Sequence, residues 1–232
     1  MDTTHRSRAF AVALSLIVSG VLLASASPAS AAAKLKADYR FEGSLKSSVG
    51  SVTGLVREGP AGQFLIKRVK GSKEGVWKWP QGTGLRLDGA HLAVGPGKGT
   101  YSFVMLVRLD AVDGYRKLIH FKDLSDDNGI YVDDGTLYAY DLDYSAVVVQ
   151  PLVWYQIVVT RSATNSVRTY VDGTRVLRVA DPTGTQVLGP DDFLRFLLDD
   201  EGTMDEETGG MIARLRIYND ALSATQVRNL GA

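Results

Sequence analysis

Apolar and polar residues alternate in short runs along most of this chain, and that alternation is the feature that most limits its fold. Successive side chains of a strand point to opposite faces, so a period of two predicts strands that bury one face. Asp-Gly pairs stand between the runs at 88/89, 113/114, 134/135 and 172/173. No amphipathic helix longer than a turn or two is indicated before the C-terminal "SATQVRNL". The pattern predicts an all-β, antiparallel two-sheet sandwich, in which the irregular segment 59–84 forms long loops around one strand.

The stretch "VRTYVDGTRVLRV", residues 167–179, is the clearest hairpin signal in the sequence. An Asp-Gly pair between two alternating runs is typical of a type I′ turn, because glycine accepts positive φ without a Cβ clash. A two-residue loop pairs Val171 with Thr174, Tyr170 with Arg175 and Thr169 with Val176. We therefore interpret the Asp-Gly pair as a folding device and not as a reactive site.

The N-terminus has the three parts of a secretory signal peptide. Two arginines in "MDTTHRSR" precede the apolar "AFAVALSLIVSGVLLA", and the small residues of "SASPASAAA" follow. The apolar run is too short and too cleanly ended for a stable membrane span. We predict a signal peptide over 1–33, cleaved after Ala33 or alternatively after Ala31, and one secreted, extracellular domain over 34–232 with no membrane span in the mature form.

Charge and cysteine content narrow the partners of the mature chain. Without the charged residues of the leader, 24 basic and 25 acidic side chains remain, and this balance gives no support to nucleic-acid binding. The sequence contains no cysteine, so an exported domain has no disulfide to hold its loops. Either the hydrophobic core suffices, or a bound metal ion helps.

Five segments in order, "YRFEGSL", "GTGLRLDGAHLAV", "YSFVMLVRLDAVDGYRKLIHFKD", "WYQIVVTRSATNSVRTYVDGTRV" and "GGMIARLRIYNDALSATQV", resemble the laminin G-like, concanavalin A-like modules of exported bacterial proteins. The resemblance runs from about Leu35 to the end of the chain. It implies a jelly-roll sandwich that closes with a last strand and a short helical turn. It also implies adhesion or carbohydrate binding. Many relatives have Asp where this chain has Ala213, which puts in doubt any metal beside Glu42 and Gly43.

The sequence lacks the catalytic signatures that enzymes on this fold carry. Laminarinase-type glycosidases, which share the jelly roll, carry Glu, Asp and Glu at alternate positions of one strand, so that all three carboxylates enter the cleft. No glutamate here fulfils that spacing, since Thr203 stands two residues after Glu201. The mature chain has two histidines, His91 and His120, which supply a Ser-His-acid triad poorly. We predict a protein that is not an enzyme.

Acidic residues concentrate in two stretches. Residues 123–143 hold seven aspartates and no Lys or Arg, and residues 191–207 hold eight acids beside Arg195. Such dense like charge is either solvated or neutralised by a cation, and calcium is the extracellular ion that prefers carboxylate and carbonyl oxygens. Zinc is disfavoured without cysteine. We expect Asp199 or Asp200 to meet Glu206 or Glu207 around one Ca²⁺; the alternative, which we favour for 123–143, is a set of solubilising loops.

Aromatic side chains are the candidates for ligand contact, because sugar rings pack apolar C–H faces on aromatic rings while acids take the hydroxyls. By strand parity Tyr138 and Tyr140 share a face with Leu142 and Tyr144, and Asp141 lies on the other face. The alternative is that these tyrosines fill the space between the sheets. Two tryptophans that share parity in a loop-like segment, Trp77 and Trp79, are the better candidates for exposure.

We therefore predict a secreted, non-catalytic adhesion or carbohydrate-binding module, with calcium as a possible cofactor. Its partner would be a glycan or a cell-surface or extracellular protein. Two alternatives stay open. The first is a degenerate or unrecognised polysaccharide-acting enzyme on the same fold, and the second is a structural protein-binding surface component.

Overall fold

The computed structural model describes Met1 and residues 32–50, 52–122, 127–199 and 206–231. Residues 2–31 of the predicted signal peptide lie outside the described part, so that assignment stays a prediction. Within the described part the chain forms fifteen strands and one α-helix. The elements are β1 (Leu35–Tyr39), β2 (Val56–Glu58), β3 (Gln63–Val69), β4 (Ser72–Trp79), β5 (Gly84–Leu87), β6 (Tyr101–Leu109), β7 (Tyr115–His120), β8 (Gly129–Asp133), β9 (Thr136–Ala139), β10 (Asp143–Val147), β11 (Tyr155–Arg161), β12 (Ser166–Val171), β13 (Thr174–Ala180), β14 (Leu194–Phe196), β15 (Gly210–Tyr218) and α1 (Ala224–Arg228).

The strands form two antiparallel sheets that pack face to face. The eight-stranded sheet has the order β13-β12-β11-β6-β15-β4-β3, with β1 paired to the far half of β15. The seven-stranded sheet has the order β10-β9-β8-β7-β14-β5-β2. About half of the neighbouring strand pairs join strands that are not consecutive in the chain, as in a jelly roll. The predicted all-β, two-sheet sandwich is confirmed.

The core lies between the sheets because each strand turns its apolar parity inward. In β8 and β9 the side chains of Ile130, Val132, Leu137 and Ala139 are fully buried in the core. Four aromatic rings fill the centre: Phe103 lies 4.5–6.0 Å from the ring centroids of Tyr101, Phe121 and Phe196. Burying one such ring contributes about 1.5–3 kcal/mol to stability. A cysteine-free domain therefore has a large apolar core in place of disulfides.

The hairpin of β12 and β13 has the turn that its sequence predicts. Asp172 and Gly173 have φ of 48° and 80°, and positive φ at both central residues defines a type I′ turn. The predicted pairs Val171–Thr174 and Tyr170–Arg175 are confirmed. The third pair was wrong: Thr169 faces Leu177, because a bulge after the second pair leaves Val176 as an extra residue on β13.

The segment 59–84 differs most from its prediction. Instead of long loops around one strand it contains the regular hairpin of β3 and β4, which turns at Lys70 and Gly71 with φ of 44° and 96°. The sequence signal was missed because Lys-Gly is a weaker turn pair than Asp-Gly or Asn-Gly. The expected exposure of the two tryptophans was also wrong. Trp77 and Trp79 are 2% and 1% exposed, since their strand parity faces the core.

The C-terminal helix covers part of the outer face of the eight-stranded sheet. It begins with a capping box, in which Ser223 Oγ accepts the Gln226 amide at 3.2 Å and Gln226 Oε1 accepts the Ser223 amide at 2.8 Å. Val227 is buried against Val104 and Val158. The predicted closing strand and short helical turn are confirmed. No helix of the described residues is both long and apolar enough to cross a bilayer.

Candidate functional site

The outer face of the seven-stranded sheet carries four tyrosines on adjacent strands, which we call the tyrosine face: Tyr115, Tyr131, Tyr138 and Tyr144. The ring of Tyr138 stacks on that of Tyr144, with centroids 3.9 Å apart and planes 7° apart. Tyr131 is buried, whereas Tyr115 and Tyr144 are 39% and 43% exposed. The hydroxyl oxygens of these two exposed tyrosines lie 3.1 Å apart. The face is therefore an aromatic surface with a buried base and accessible outer rings.

The tyrosines do not fill the space between the sheets, because their neighbours Leu137 and Ala139 take the inward positions. Tyr140 joins the cluster, 5.9 Å from Tyr138. Its predicted companion Leu142 does not, because a turn with φ of 59° at Asp141 changes the parity and directs Leu142 to the core. The exposed Asp141 donates its amide to the Tyr138 hydroxyl at 2.9 Å, which holds that ring in place.

Beside the tyrosine face lies an acid–lysine cluster of Lys117, Asp127, Asp199 and Glu206. Carboxylate oxygens of the three acids lie within 4.8 Å of one another. The Lys117 ammonium is fully buried, 3.9 Å from Asp199 Oδ1. The Tyr131 hydroxyl contacts Lys117 and lies 3.2 Å from Asp127 Oδ1, so the aromatic and charged groups are continuous.

Strand pairing explains why these residues meet. β7 pairs with β8 on one side and with β14 on the other. Asp127 stands just before β8, Asp199 follows β14, and Lys117 lies on β7 between them. The Glu206 carbonyl accepts the Lys117 amide at 2.9 Å, and its own amide donates to Asp199 Oδ2 at 3.2 Å. The backbone thus fixes Glu206 against the cluster.

Burial and the neighbouring acids raise the pKa of Glu206 in the acid–lysine cluster. Burial, followed by the Asp199 and Asp127 carboxylates, raises the pKa of Glu206 to about 7, against the opposing effect of Lys117. Burial also raises the pKa of Tyr131, with further contributions from Glu206 and Asp127. Glu206 therefore keeps its proton to a higher pH than an exposed glutamate does.

The predicted metal ligands are divided by the structure. Asp199 and Glu206 come together as expected, and Asp200 lies outside the described residues. Glu207 takes another role: its carboxylate accepts the backbone amides of Asp199 and Gly82. Asp127 belongs to the acidic stretch 123–143, but it was not predicted to lie beside Asp199 and Glu206. The sequence does not show that the strands next to these residues, β8 and β14, both pair with β7.

The same outer face continues as a cationic strip on β5 and β14. The guanidinium carbons of Arg86 and Arg195 lie 5.0 and 5.3 Å from the Phe193 ring centroid, on a cation–π geometry. Glu58 bridges the two arginines at 2.7 and 3.4 Å. Sequence reasoning did not identify this strip. The charge of both arginines is largely matched by acids, so the strip is a rigid polar border to the tyrosine face.

Comparison with known families places this architecture. The Laminin_G_3 family model, described as the concanavalin A-like lectin/glucanases superfamily, matches residues 81–228. The chain belongs to this superfamily. The match covers β5 to α1 and thus every residue of the tyrosine face and of the acid–lysine cluster. A search of curated protein sequences gave no match.

Solved structures of similar fold include domain 4 of AbnA, an extracellular GH43 arabinanase from Geobacillus stearothermophilus, in complex with arabinotriose. It has 17% identity and a TM-score of 0.66, and the alignment covers 86% of this chain and 99% of that one. The botulinum neurotoxin serotype D binding domain has 10% identity and a TM-score of 0.59, over 84% of this chain and 51% of that one. A third structure is of botulinum neurotoxin type C, a toxin whose cell entry depends on interaction with two ganglioside molecules. It has 11% identity and a TM-score of 0.58, over 85% of this chain and 50% of that one. This chain spans about half of the toxin chains, and at these identities the likeness establishes the fold.

Proposed function

We propose that the protein is a secreted, non-catalytic carbohydrate-binding module whose binding surface is the tyrosine face. The observation that carries this proposal is the stacked Tyr138–Tyr144 pair, partly exposed on the outer face of the sheet. Exposed aromatic rings beside fixed polar groups suit a sugar, which has apolar C–H faces and a rim of hydroxyls. Support also comes from the similar arabinanase domain, which was solved with arabinotriose.

Tyr144 would make the main stacking contact. One side of the Tyr138 ring is already covered by Tyr144, so the outer ring offers the accessible surface. The paired hydroxyls of Tyr115 and Tyr144 and the exposed Asp141 carboxylate would bind sugar hydroxyls. Trp77 and Trp79 take no part, because both rings are buried.

A glycan array with residues 34–232 tests the proposal and identifies the sugar. Tyr144→Ala should then weaken binding of the selected glycan about tenfold, the loss that one aromatic contact of about 1.4 kcal/mol produces. Val147→Ala, on the same strand and 60% exposed, is the matched control. Equal affinity of wild type and Tyr144→Ala would show that the glycan binds elsewhere. An array without any bound glycan would remove the proposal.

We further propose that Ca²⁺ is held by Asp127, Asp199 and Glu206. Three carboxylate oxygens within 4.8 Å of one another fit a Ca²⁺ ion, whose ligands lie at about 2.3–2.6 Å from the metal. The buried Lys117 ammonium already neutralises one charge, so a cation would have to displace the proton of Glu206 and compete with the lysine. We therefore expect these three acids to bind Ca²⁺ weakly at neutral pH, and Ca²⁺ binding should release the proton of Glu206.

Thermal melts with Ca²⁺ and with chelator test this metal site. An ion at a hundred times its Kd stabilises the folded state by about 2.7 kcal/mol, so wild type should melt higher with Ca²⁺. Asp127→Asn should lose that response, and Asp143→Asn, an exposed acid on β10, should keep it. A response that is equal in all three proteins would place any calcium elsewhere.

One observation favours the enzyme alternative. Glu206, whose pKa is raised, has a carboxylate oxygen within 4.8 Å of one of Asp199, and this spacing resembles an acid and nucleophile pair, for which retaining glycosidases need about 5–5.5 Å between carboxyl groups. Release of reducing sugar from the glycan found on the array, abolished in Glu206→Gln, would establish this second function. Binding without hydrolysis would leave the module as proposed.

A further inference from the structure

The eight-stranded sheet ends in an open edge strand, β3. It pairs with β4 over seven consecutive residue pairs from Gln63 to Val69 without a register shift. Among the described residues, no backbone hydrogen bond outside that ladder involves residues 63–69. The outward backbone groups of β3 are therefore available, and such an edge is a template for a further strand.

The side chains of this edge are apolar and basic. Phe64 and Ile66, which share one face of the strand, are 40% and 68% exposed. Lys67 and Arg68 follow them and are also exposed, and no acidic residue occurs between 59 and 73. An edge protected only against aggregation would carry charge without two large exposed apolar side chains.

The hairpin is also held rigidly to the domain. Val69 is 2% exposed and packs with Leu106 and Ala213 on the outer face of the sheet. At the turn, the Lys70 ammonium pairs with Asp172 Oδ1 at 2.5 Å. A fixed, regular edge loses little conformational freedom when a partner strand adds to it.

We propose that the open edge of β3 binds an extended acidic peptide as an added strand. Main-chain hydrogen bonds to β3 would give the affinity, and side chains of alternate parity would give the selectivity. Acidic residues of the peptide would face Lys67 and Arg68, and β-branched residues would cover Phe64 and Ile66. An identical edge from a second copy is disfavoured, because it would bring the exposed Lys67 and Arg68 of that copy to an edge that already presents the same two basic residues.

A peptide written antiparallel to β3 tests this interface. We would titrate fluorescent acetyl-Thr-Glu-Glu-Val-Thr-Val-Thr-amide with residues 34–232 and follow anisotropy at low and high salt. Binding should be measurable, weaker at high salt, and lost when the two glutamates are replaced by lysine or when alternate peptide amides are N-methylated. Dissociation constants weaker than about 1 mM for all peptides would overturn the proposal.

Charge exchange in the protein supplies the specific control. A Lys67→Glu, Arg68→Glu double variant should bind the acidic peptide at least about tenfold more weakly and bind the lysine peptide instead, a reversal that misfolding cannot produce. Val147→Ser, at an exposed apolar residue of β10, should bind like wild type. Two results would contradict the proposal. Dimers in sedimentation that Ile66→Ser abolishes would show that the edge binds a second copy, and binding to vesicles of anionic lipid without binding to the peptide would show that it binds a membrane surface.

Discussion

Glu206 is the side chain whose environment most changes its chemistry. Its pKa is raised from 4.5 to about 7 by burial and by the neighbouring carboxylates of Asp199 and Asp127. Below about pH 4.5 the folded and unfolded chains both hold this proton. As pH rises toward 7, the unfolded chain releases the proton first. The unfolded state is favoured accordingly, and the contribution of Glu206 to stability falls across this window.

The expected result is a pH-dependent difference between wild type and Glu206→Gln. In chelator, the melting temperature of wild type should fall relative to that of the variant between about pH 4.5 and 7, and the difference should level off above 7. Glu42→Gln, at an exposed carboxylate, is the control and should follow wild type. A constant difference between wild type and Glu206→Gln over this range would contradict the raised pKa.

Trp79 was a candidate for ligand contact as an aromatic residue, but its burial gives it a structural role. Its ring is 1% exposed and its indole N–H donates to the Thr208 carbonyl at 2.8 Å. Trp79→Phe removes that donor and leaves a buried carbonyl unpaired, which should destabilise the domain by about 1–3 kcal/mol in urea unfolding. Affinity for the array-selected glycan should not change. A loss of affinity without a loss of stability would return Trp79 to the ligand site.

At the scale of the elements, turn chemistry decides which hairpins form and in which register. The Asp172-Gly173 turn requires positive φ at both positions, and a β-branched residue there is strained by about 1–3 kcal/mol. Gly173→Val should therefore lower the melting temperature and leave glycan affinity unchanged. Thr174→Val, one residue later at an exposed strand position, is the control. If Gly173→Val melts like wild type, the turn is not type I′ in solution.

Sequence reasoning predicted elements where local chemistry determines them. The alternation and the Asp172-Gly173 pair carry the hairpin of β12 and β13, because a period of two and a positive φ are both properties of neighbouring residues. The bulge that gives Thr169 the partner Leu177 leaves no such local sign. The hairpin of β3 and β4 was not predicted. Lys70 and Gly71 adopt the left-handed conformation at its turn, but the pair is not the Asn-Gly or Asp-Gly that usually indicates such a turn.

At the scale of the whole molecule, the candidate site depends on contacts that sequence distance conceals. Asp199 or Asp200 was predicted to meet Glu206 or Glu207, because the ends of adjacent strands converge, and Asp199 and Glu206 are the two that lie together among the described residues. Asp127 and Lys117 reach the same place through the pairing of β7 with β8 and β14, which is a property of the sheet order. Parity predicted that Tyr138 and Tyr144 share a face, but it could not say which side of the sheet that face takes.

The whole-molecule prediction concerns export. We expect the mature protein to begin near Lys34 and to be found in the medium, because residues 1–33 carry the basic, apolar and small-residue parts of a signal peptide. N-terminal sequencing of the protein in the culture medium measures this directly. A chain that keeps residues 1–33 and sediments with membranes would contradict the assignment.

The order of the strands has a mechanical consequence. The tyrosine face ends at β9 and β10, which lie beside β13, whereas β3 is the last strand at the other end of the order of the eight-stranded sheet. The tyrosine face and the outward edge of β3 share no residue, so a glycan and an added strand would bind at separate sites. The two attachments would then add their tethering effects, so that a protein bearing the acidic segment stays at high local concentration along a glycan surface. In that arrangement the domain would hold a glycan surface and an acidic segment of another protein next to each other.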